Sequence, residues 1–332
     1  MISFLSVLMT ALFPAFFAGS SAFVIDSQPA ESGSQSGTDY IYLADPTIYC
    51  DTDGVYYLYG TSPRVDGGFL CYRSSDLSHW EGPVGACGGY ALGRDSVFGT
   101  RGFWAPQVYR SGDTYYMAYT ANEQIAVATS HSPMGPFVQQ RHRSLPSVTR
   151  QIDPFVFHDG GDVYLYHVRL HEGNRIYCVR MTAGMDSVEL ATAREQIHAQ
   201  SGWENVNHAD WPVAEGPTVV RISGTYYLFY SANDFRNPAY AVGYATSNSP
   251  WGPWQKHDRP LISQSDIGIP GTGHGDLFQT ADGRWFYVFH THRSDQTVDP
   301  RRTALVELIF ADGQFSLKPG SFAFLRVSRP AR

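Results

Sequence analysis

From about residue 39 onward the chain repeats one pattern of polar and apolar positions. A turn rich in Gly and Asp leads into a short strand dense in aromatic residues. Those strands are Tyr56–Tyr59, Tyr115–Tyr119, Val163–Tyr166, Tyr226–Tyr230 and Trp285–Phe289. Turn phrases precede four of them: Asp53-Gly54, Ser111-Gly112-Asp113, Asp159-Gly160-Gly161 and Asp282-Gly283. Gly and Asp accept the positive φ that tight hairpins demand, and a strand bounded by such turns predicts a β-hairpin. After Ala22 no long segment carries apolar residues at helical spacing.

The pattern is also an internal repeat. Ala128–Phe137 (ATSHSPMGPF) matches Ala245–Trp254 (ATSNSPWGPW) at an offset of 117 residues, and Ser74–Trp80 is a degenerate third copy. Short phrases open each unit at Asp45, Ala105, Asp153, Gly216 and His274, in steps of 60, 48, 63 and 58 residues. Four strands per unit, five times over, predict an all-β, five-bladed β-propeller across residues 39–332. A many-stranded sandwich is the alternative, but it does not explain a fixed period. In a propeller the innermost strand of each blade lines a central channel, so the five openings meet around one axis.

The beginning of the chain has a different character. An apolar run from Ile2 to Phe17 is followed by Ala18-Gly19-Ser20-Ser21-Ala22, which predicts an export signal over residues 1–22. Residues 23–38, rich in Ser and Gly, read as a flexible spacer. A secreted or periplasmic protein is therefore expected, with no membrane association after cleavage, and a monomer. Pro14 interrupts the apolar run and argues against a membrane anchor. Four cysteines suit an exported chain, either as disulfides, with Cys71–Cys87 preferred, or as free buried thiols.

Of the 332 residues, 14% are aromatic and 17% charged, and the net charge is -7. That balance gives no electrostatic reason to expect nucleic acid as a partner. A carbohydrate, gripped by stacking and hydrogen bonds, fits. Three of the opening phrases carry an acid: Ala44-Asp45-Pro46, Ile152-Asp153-Pro154 and Glu215-Gly216-Pro217. One Asp-Pro is an ordinary turn phrase. Three acids in register are a constellation. Glycosidic cleavage needs one carboxylic acid to protonate the leaving oxygen and one carboxylate to activate water or attack. Acids across a channel suit inversion, where a gap of roughly 6.5–9.5 Å leaves room for water.

The ordered set Ala44-Asp45-Pro46, Trp104-Ala105-Pro106, Ile152-Asp153-Pro154, Glu215-Gly216-Pro217 and Gly273-His274-Gly275 resembles glycoside hydrolase family 43. The resemblance spans nearly the whole chain from Asp39 onward. It implies a five-bladed propeller that cleaves arabinose- or xylose-containing chains with inversion. It further implies Asp45 as general base, Glu215 as general acid, and Asp153 as the group that tunes and orients Glu215. The Asn-Asp-Pro-Asn-Gly opening and Glu-Cys pair of invertase-type propellers are missing, which disfavours fructans.

Trp104 is expected to be a sugar-stacking platform, with a core Trp as the alternative, and Phe103 is expected to share that role. His274 is either a buried, hydrogen-bonded histidine or, as the resemblance implies, the residue facing a hydrated calcium in the channel. No cofactor is required for the chemistry itself. Arg301 matches a family position that reaches substrate hydroxyls or pairs with an acid, and strand alternation points Arg302 away. His290 and His292 share a strand face near the channel and receive no role. α-L-Arabinofuranosidase or β-xylosidase activity ranks ahead of endo-arabinanase, and a binding propeller without turnover is the reading from another class.

Overall fold

In the strand Tyr56–Thr61 both faces of the backbone are buried, and they face different neighbours. Tyr57 and Tyr59 enter the core shared with the next blade, whereas Tyr56 and Leu58 enter the core shared with the last blade. Likewise Leu228 and Tyr230 pack towards blade three while Tyr227 and Phe229 pack towards blade five. Radially stacked sheets therefore use continuous aromatic runs, not one apolar face. The computed structural model describes residues 38–328 except 65 and 201. The expected leader and all but the last residue of the expected spacer lie outside the described residues.

The expected five-bladed propeller is observed. Its inner strands are Ala44–Cys50, Trp104–Ser111, Gln151–Asp159, Ala214–Ile222 and Gly273–Gln279. Blades three, four and five each continue outward through three further antiparallel strands. Blade one carries a side ribbon of Gly68–Leu70 with Tyr90–Gly93, and blade two ends in a bridge between Thr129 and Val138. Five apolar clusters fill the five blade interfaces. Strand Thr38–Tyr40 pairs antiparallel with Arg326–Ser328, so the start of the described chain clasps its end.

The decapeptide repeat has a structural purpose. In each copy a serine hydroxyl accepts the amide two residues on, at 3.1 Å from Ser130 and 3.1 Å from Ser247. The turn so formed turns one prolyl carbonyl toward the preceding blade. Pro133 accepts the buried Tyr59 hydroxyl and Pro250 accepts that of Tyr166. The repeat fastens blade two to blade one and blade four to blade three.

A second repeat shapes the hub. Asp45, Ala105, Asp153, Gly216 and His274 all have positive φ, between 38° and 61°. Each sits at a bulge where pairing with the second strand slips, as between Ala44 and Thr47 or between Glu215 and Thr218. A bulge residue loses its ladder partner and re-aims its side chain. All five line a narrow axial cavity of about 20 Å³, enough for about one water.

The preferred Cys71–Cys87 pairing is corrected, and the alternative of free buried thiols holds for Cys71 and Cys178. All four are free. Cys71 points into the core of blades one and two, close to Tyr59, whereas Cys87 is exposed on a surface turn, so the two side chains face different environments.

Candidate active site

The bulge amides, unpaired within their own blades, are met by side chains from the second strand of the preceding blade. Ala105 donates to Thr61 Oγ1 (2.9 Å), Asp153 to Thr120 Oγ1 (3.0 Å) and His274 to Ser231 Oγ (2.7 Å). Asp45 donates to His290 Nδ1 at 3.1 Å. Gly216 alone departs, donating to Asp153 Oδ2 at 3.3 Å. Buried amides require such partners, and here they fix where each hub side chain enters the funnel.

Above the axial cavity lies a larger one of about 370 Å³, into which Asp45, Asp153 and Glu215 all open. Trp104, His274 and Arg301 line it too, so six of the seven expected site residues converge there. Phe103 does not. It is fully buried, stacked on Tyr119 with ring centroids 5.9 Å apart, and belongs to the core of blades one and two. Trp104, its neighbour, points the other way by strand alternation.

One detail of the acid register is corrected. Asp45 and Asp153 occupy the bulge position itself, but in blade four that position is Gly216 and Glu215 stands one residue earlier. Glu215 therefore corresponds to Trp104 and Ile152, on the rim of the larger cavity. Gly216 has φ 61°, and a Cβ there would approach the His274 ring to 2.8 Å. The Gly-His-Gly phrase is explained in the same way. A Cβ at Gly273 would come within 2.2 Å of the Tyr240 ring, and one at Gly275 within 1.8 Å of the Val288 carbonyl.

The carboxylates are held differently. Asp45 accepts from Thr61 Oγ1 at 2.6 Å and lies 3.3 Å from Arg301 Nη1. Burial would raise its pKa, but Arg301, His274 and His290 outweigh burial and hold it well below the carboxylate range. The His290 imidazole is driven down to about 3 by burial and by Arg301, so Arg301 is the durable positive charge at neutral pH. Arg301 is itself held by Asp299 at 3.3 Å and lies over the Phe235 ring at 4.5 Å. Arg302 turns away onto Phe324, as alternation predicts.

Glu215 is buried, which pushes its pKa up to about 7 against hydrogen bonds from Tyr240 and Asn174, both 2.8 Å. Asp45's charge adds to the rise. Asp153 is raised as well, by burial and then by repulsion from Glu215 and Asp45. Like charges confined together cannot both ionise freely, so this pair retains a proton near neutrality. His274 Nδ1 lies 3.4 Å from Asp45 and 3.8 Å from Asp153, between the two.

Several contributors carried no motif. Asn174 begins the third strand of blade three, Tyr240 just precedes the third strand of blade four, and Trp211 and Phe235 come from loops. His290 proves to be a direct partner of Asp45. Its alternation with His292 was the only hint available.

A hydrated calcium, one of the two readings of His274, would find few free protein donors here. Among the described residues no group of three or more His, Cys, Asp or Glu could hold a metal ion. Of the carboxylates around the axial cavity, Asp276 is engaged by Thr47 (2.5 Å) and Thr218 (3.2 Å), and Asp45 by Thr61 (2.6 Å) and Arg301 (3.3 Å). Calcium prefers six to eight oxygens, and this set does not fit a directly ligated ion.

The profile of "Glycosyl hydrolases family 43" matches residues 41–315. The chain belongs to that family. A solved endo-1,4-β-xylanase from Bacteroides thetaiotaomicron is 39% identical, covers 89% of this chain and all of its own, and superposes with a TM-score of 0.82. A xylosidase/arabinosidase of Humicola insolens is 25% identical over 83% of this chain and 53% of its own. An extracellular exo-α-(1→5)-L-arabinofuranosidase of Streptomyces avermitilis is 22% identical over 81% of this chain and 60% of its own. The chain thus spans between half and two thirds of the length of these two curated relatives. As a family 43 propeller, it presents the acids, the tryptophan and the arginine of its cavity on the scaffold these proteins share.

Proposed function

We propose that the protein is an exported, inverting glycoside hydrolase acting on pentose-containing plant polysaccharide or oligosaccharide, of α-L-arabinofuranosidase or β-xylosidase type. The observation that carries this reading is the electrostatic asymmetry of one cavity. Asp45 is kept ionised by Arg301, while Glu215 is pushed up to about 7 by burial. A base and an acid are thereby poised in one site. In the reaction Asp45 takes a proton from water, and the water oxygen bonds to the anomeric carbon from the face opposite the leaving group. As the glycosidic bond breaks, Glu215 gives its proton to the departing oxygen. Asp153 keeps that proton on the pair and fixes the backbone beside Glu215 through the Gly216 amide. Trp104 offers a ring face to a sugar, and Arg301 reaches both Asp45 and the cavity.

The relatives named for xylose and arabinose support a pentose, and the extracellular relative supports export. No helix among the described residues is long and apolar enough to cross a membrane. The deciding experiment uses Glu215→Gln on two classes of pentoside. On an unactivated oligosaccharide the rate should fall by about 10²–10⁴-fold, the scale of a lost general acid. On a dinitrophenyl pentoside, whose leaving group needs no proton, it should fall far less. Product configuration read by NMR at first turnover should be inverted, and retention would overturn the mechanism.

A further inference from the structure

Trp211 stands at the wall between two cavities. Its indole is 46% exposed, which is unusual for so large an apolar group, yet its N–H is taken up by Asn174 Oδ1 at 2.9 Å. Asn174 in turn donates from Nδ2 to Glu215 Oε2 at 2.8 Å. Two hydrogen bonds therefore join a half-exposed ring to the catalytic acid. On the catalytic side, Trp211 lines the 370 Å³ cavity; on the other it lines a second cavity of about 420 Å³. Val213, Asp234 and Arg236 also line both, so the two cavities are neighbours on either side of one wall.

We propose that this second cavity is a leaving-group saccharide subsite, in which Trp211 stacks a sugar ring and, through Asn174, positions Glu215. The proposal rests on Glu215 as the proton donor. A general acid stands beside the departing oxygen, so the space reached past Glu215 receives what departs.

The lining suits a neutral sugar. Asn207 and Asn237 supply amides, Asn205 braces the loop through the Ala209 backbone, and Trp211 supplies a ring face. The charges present, Asp234 and Arg236, neutralise one another through hydrogen bonds of 2.6 and 2.7 Å, leaving little to attract an ion.

The segment is also well anchored. Buried Glu204 accepts from Tyr230 (2.6 Å), Lys256 (2.8 Å) and the Gln200 amide (2.8 Å). Buried Asn233 ties the two walls together, accepting from the Val206 amide at 3.1 Å and donating to the carbonyls of Trp203 (2.8 Å) and Ala239 (3.0 Å). Beside Trp211, the Pro212 carbonyl accepts the Asn174 amide at 2.9 Å. A preorganised wall loses little entropy when a sugar binds.

Two substitutions separate the two roles of Trp211. Trp211→Ala removes ring and donor; Trp211→Phe keeps a ring and removes the donor. Each is assayed on xylotriose or arabinotriose and on the matching pentosyl fluoride, whose leaving group has no ring to stack, with melting temperature as the check on folding. Trp211→Ala should raise KM for the trisaccharide by about tenfold, the scale of one aromatic contact, and change KM for the fluoride by no more than about twofold. Trp211→Phe should leave the trisaccharide KM near that of the parent protein.

Trp211→Phe should also move the alkaline limb of kcat to higher pH, because the Asn174 hydrogen bond lowers the pKa of Glu215 and its loosening lets it rise. Asn174→Ala should reproduce that shift, and the double variant should add nothing. Equal KM changes on both substrates, or none, would overturn the subsite. An unmoved limb in Trp211→Phe would overturn the positioning role. Glu215→Gln run alongside keeps the underlying reading separate: if it fails to discriminate between the two leaving groups, the acid assignment falls, whatever Trp211 does.

Discussion

The amide of Gly216 donates to Oδ2 of Asp153, at 3.3 Å, where every other blade meets the equivalent amide with a side chain from the preceding blade's second strand. Those partners are Thr61, Thr120, Ser231 and His290. In blade three the matching position, paired with Ile152, is Val168, which has no hydroxyl to offer. A carboxylate does the fastening instead. Asp153 thereby joins backbone register to electrostatics: the group that biases Glu215's proton also fixes the residue beside Glu215.

Two substitutions at Asp153 should therefore part company. Asp153→Asn keeps an oxygen for the Gly216 amide and should fold with nearly unchanged stability. It removes the repulsion that keeps a proton on the pair, so the alkaline limb of kcat should move to lower pH. Asp153→Ala also leaves the amide without a partner, at a cost of about 1–3 kcal/mol. Urea unfolding of both variants, beside their pH–rate profiles, checks this. Equal stability losses would contradict the fastening role.

The pH dependence follows from the two shifts. As the proposed general acid Glu215 must be protonated, and its pKa is raised to about 7, so activity should fall as pH rises through about 7. Asp45 must be ionised, and its pKa lies below the usual carboxylate range, so the acid limb should lie below pH 4 or so. A plateau between these limbs in kcat/KM is expected. A profile still rising above pH 8 or so would reverse the assignment of acid and base.

Thr61 serves two hub residues at once, donating to Asp45 at 2.6 Å and accepting from Ala105 at 2.9 Å. Thr61→Val keeps the shape and removes both bonds. Stability should fall by about 1–3 kcal/mol for the orphaned amide. Asp45 would lose a donor that favours its ionised form, so the acid limb should move to higher pH. Calorimetry and the pH profile read the two effects independently.

Removing metal ions is a sharp check on the donor set at His274. Treatment with EDTA should leave kcat and melting temperature unchanged, because the described residues offer no three-ligand site. A loss restored by calcium and not by magnesium would show an ion held chiefly through water.

Much of this was legible in the sequence, for a definite reason. Aromatic strands at fixed intervals and the Ser-Pro-x-Gly-Pro turns are local signals of a global repeat, so the five blades could be counted. Asp45, Asp153 and His274 were found because each occupies the repeat's bulge. Glu215 was found through its Glu-Gly-Pro phrase, one residue before the bulge, where Gly216 takes the left-handed position that glycine adopts most readily. Phe103 was misplaced because it and Trp104, adjacent where the chain enters the inner strand, face opposite ways, and only the packing reveals which faces the cavity. Asn174, Tyr240 and Trp211 stayed invisible: they reach Glu215 through loops and strand ends whose meeting depends on closure of the ring. The cysteine pairing failed similarly, since proximity along the chain does not specify side-chain direction.

The ring of left-handed bulges has an implication for redesign. Asp45, Ala105, Asp153, Gly216 and His274 share one backbone shape and one axial outlook, yet carry a carboxylate, a methyl, a second carboxylate, a hydrogen and an imidazole. Such a scaffold works like a turret with interchangeable mounts. Position 105 holds the least committed of them, and an Asn or Asp grafted there, residue types tolerant of that conformation, would place a new functional group at the axis without rebuilding the strand beneath it.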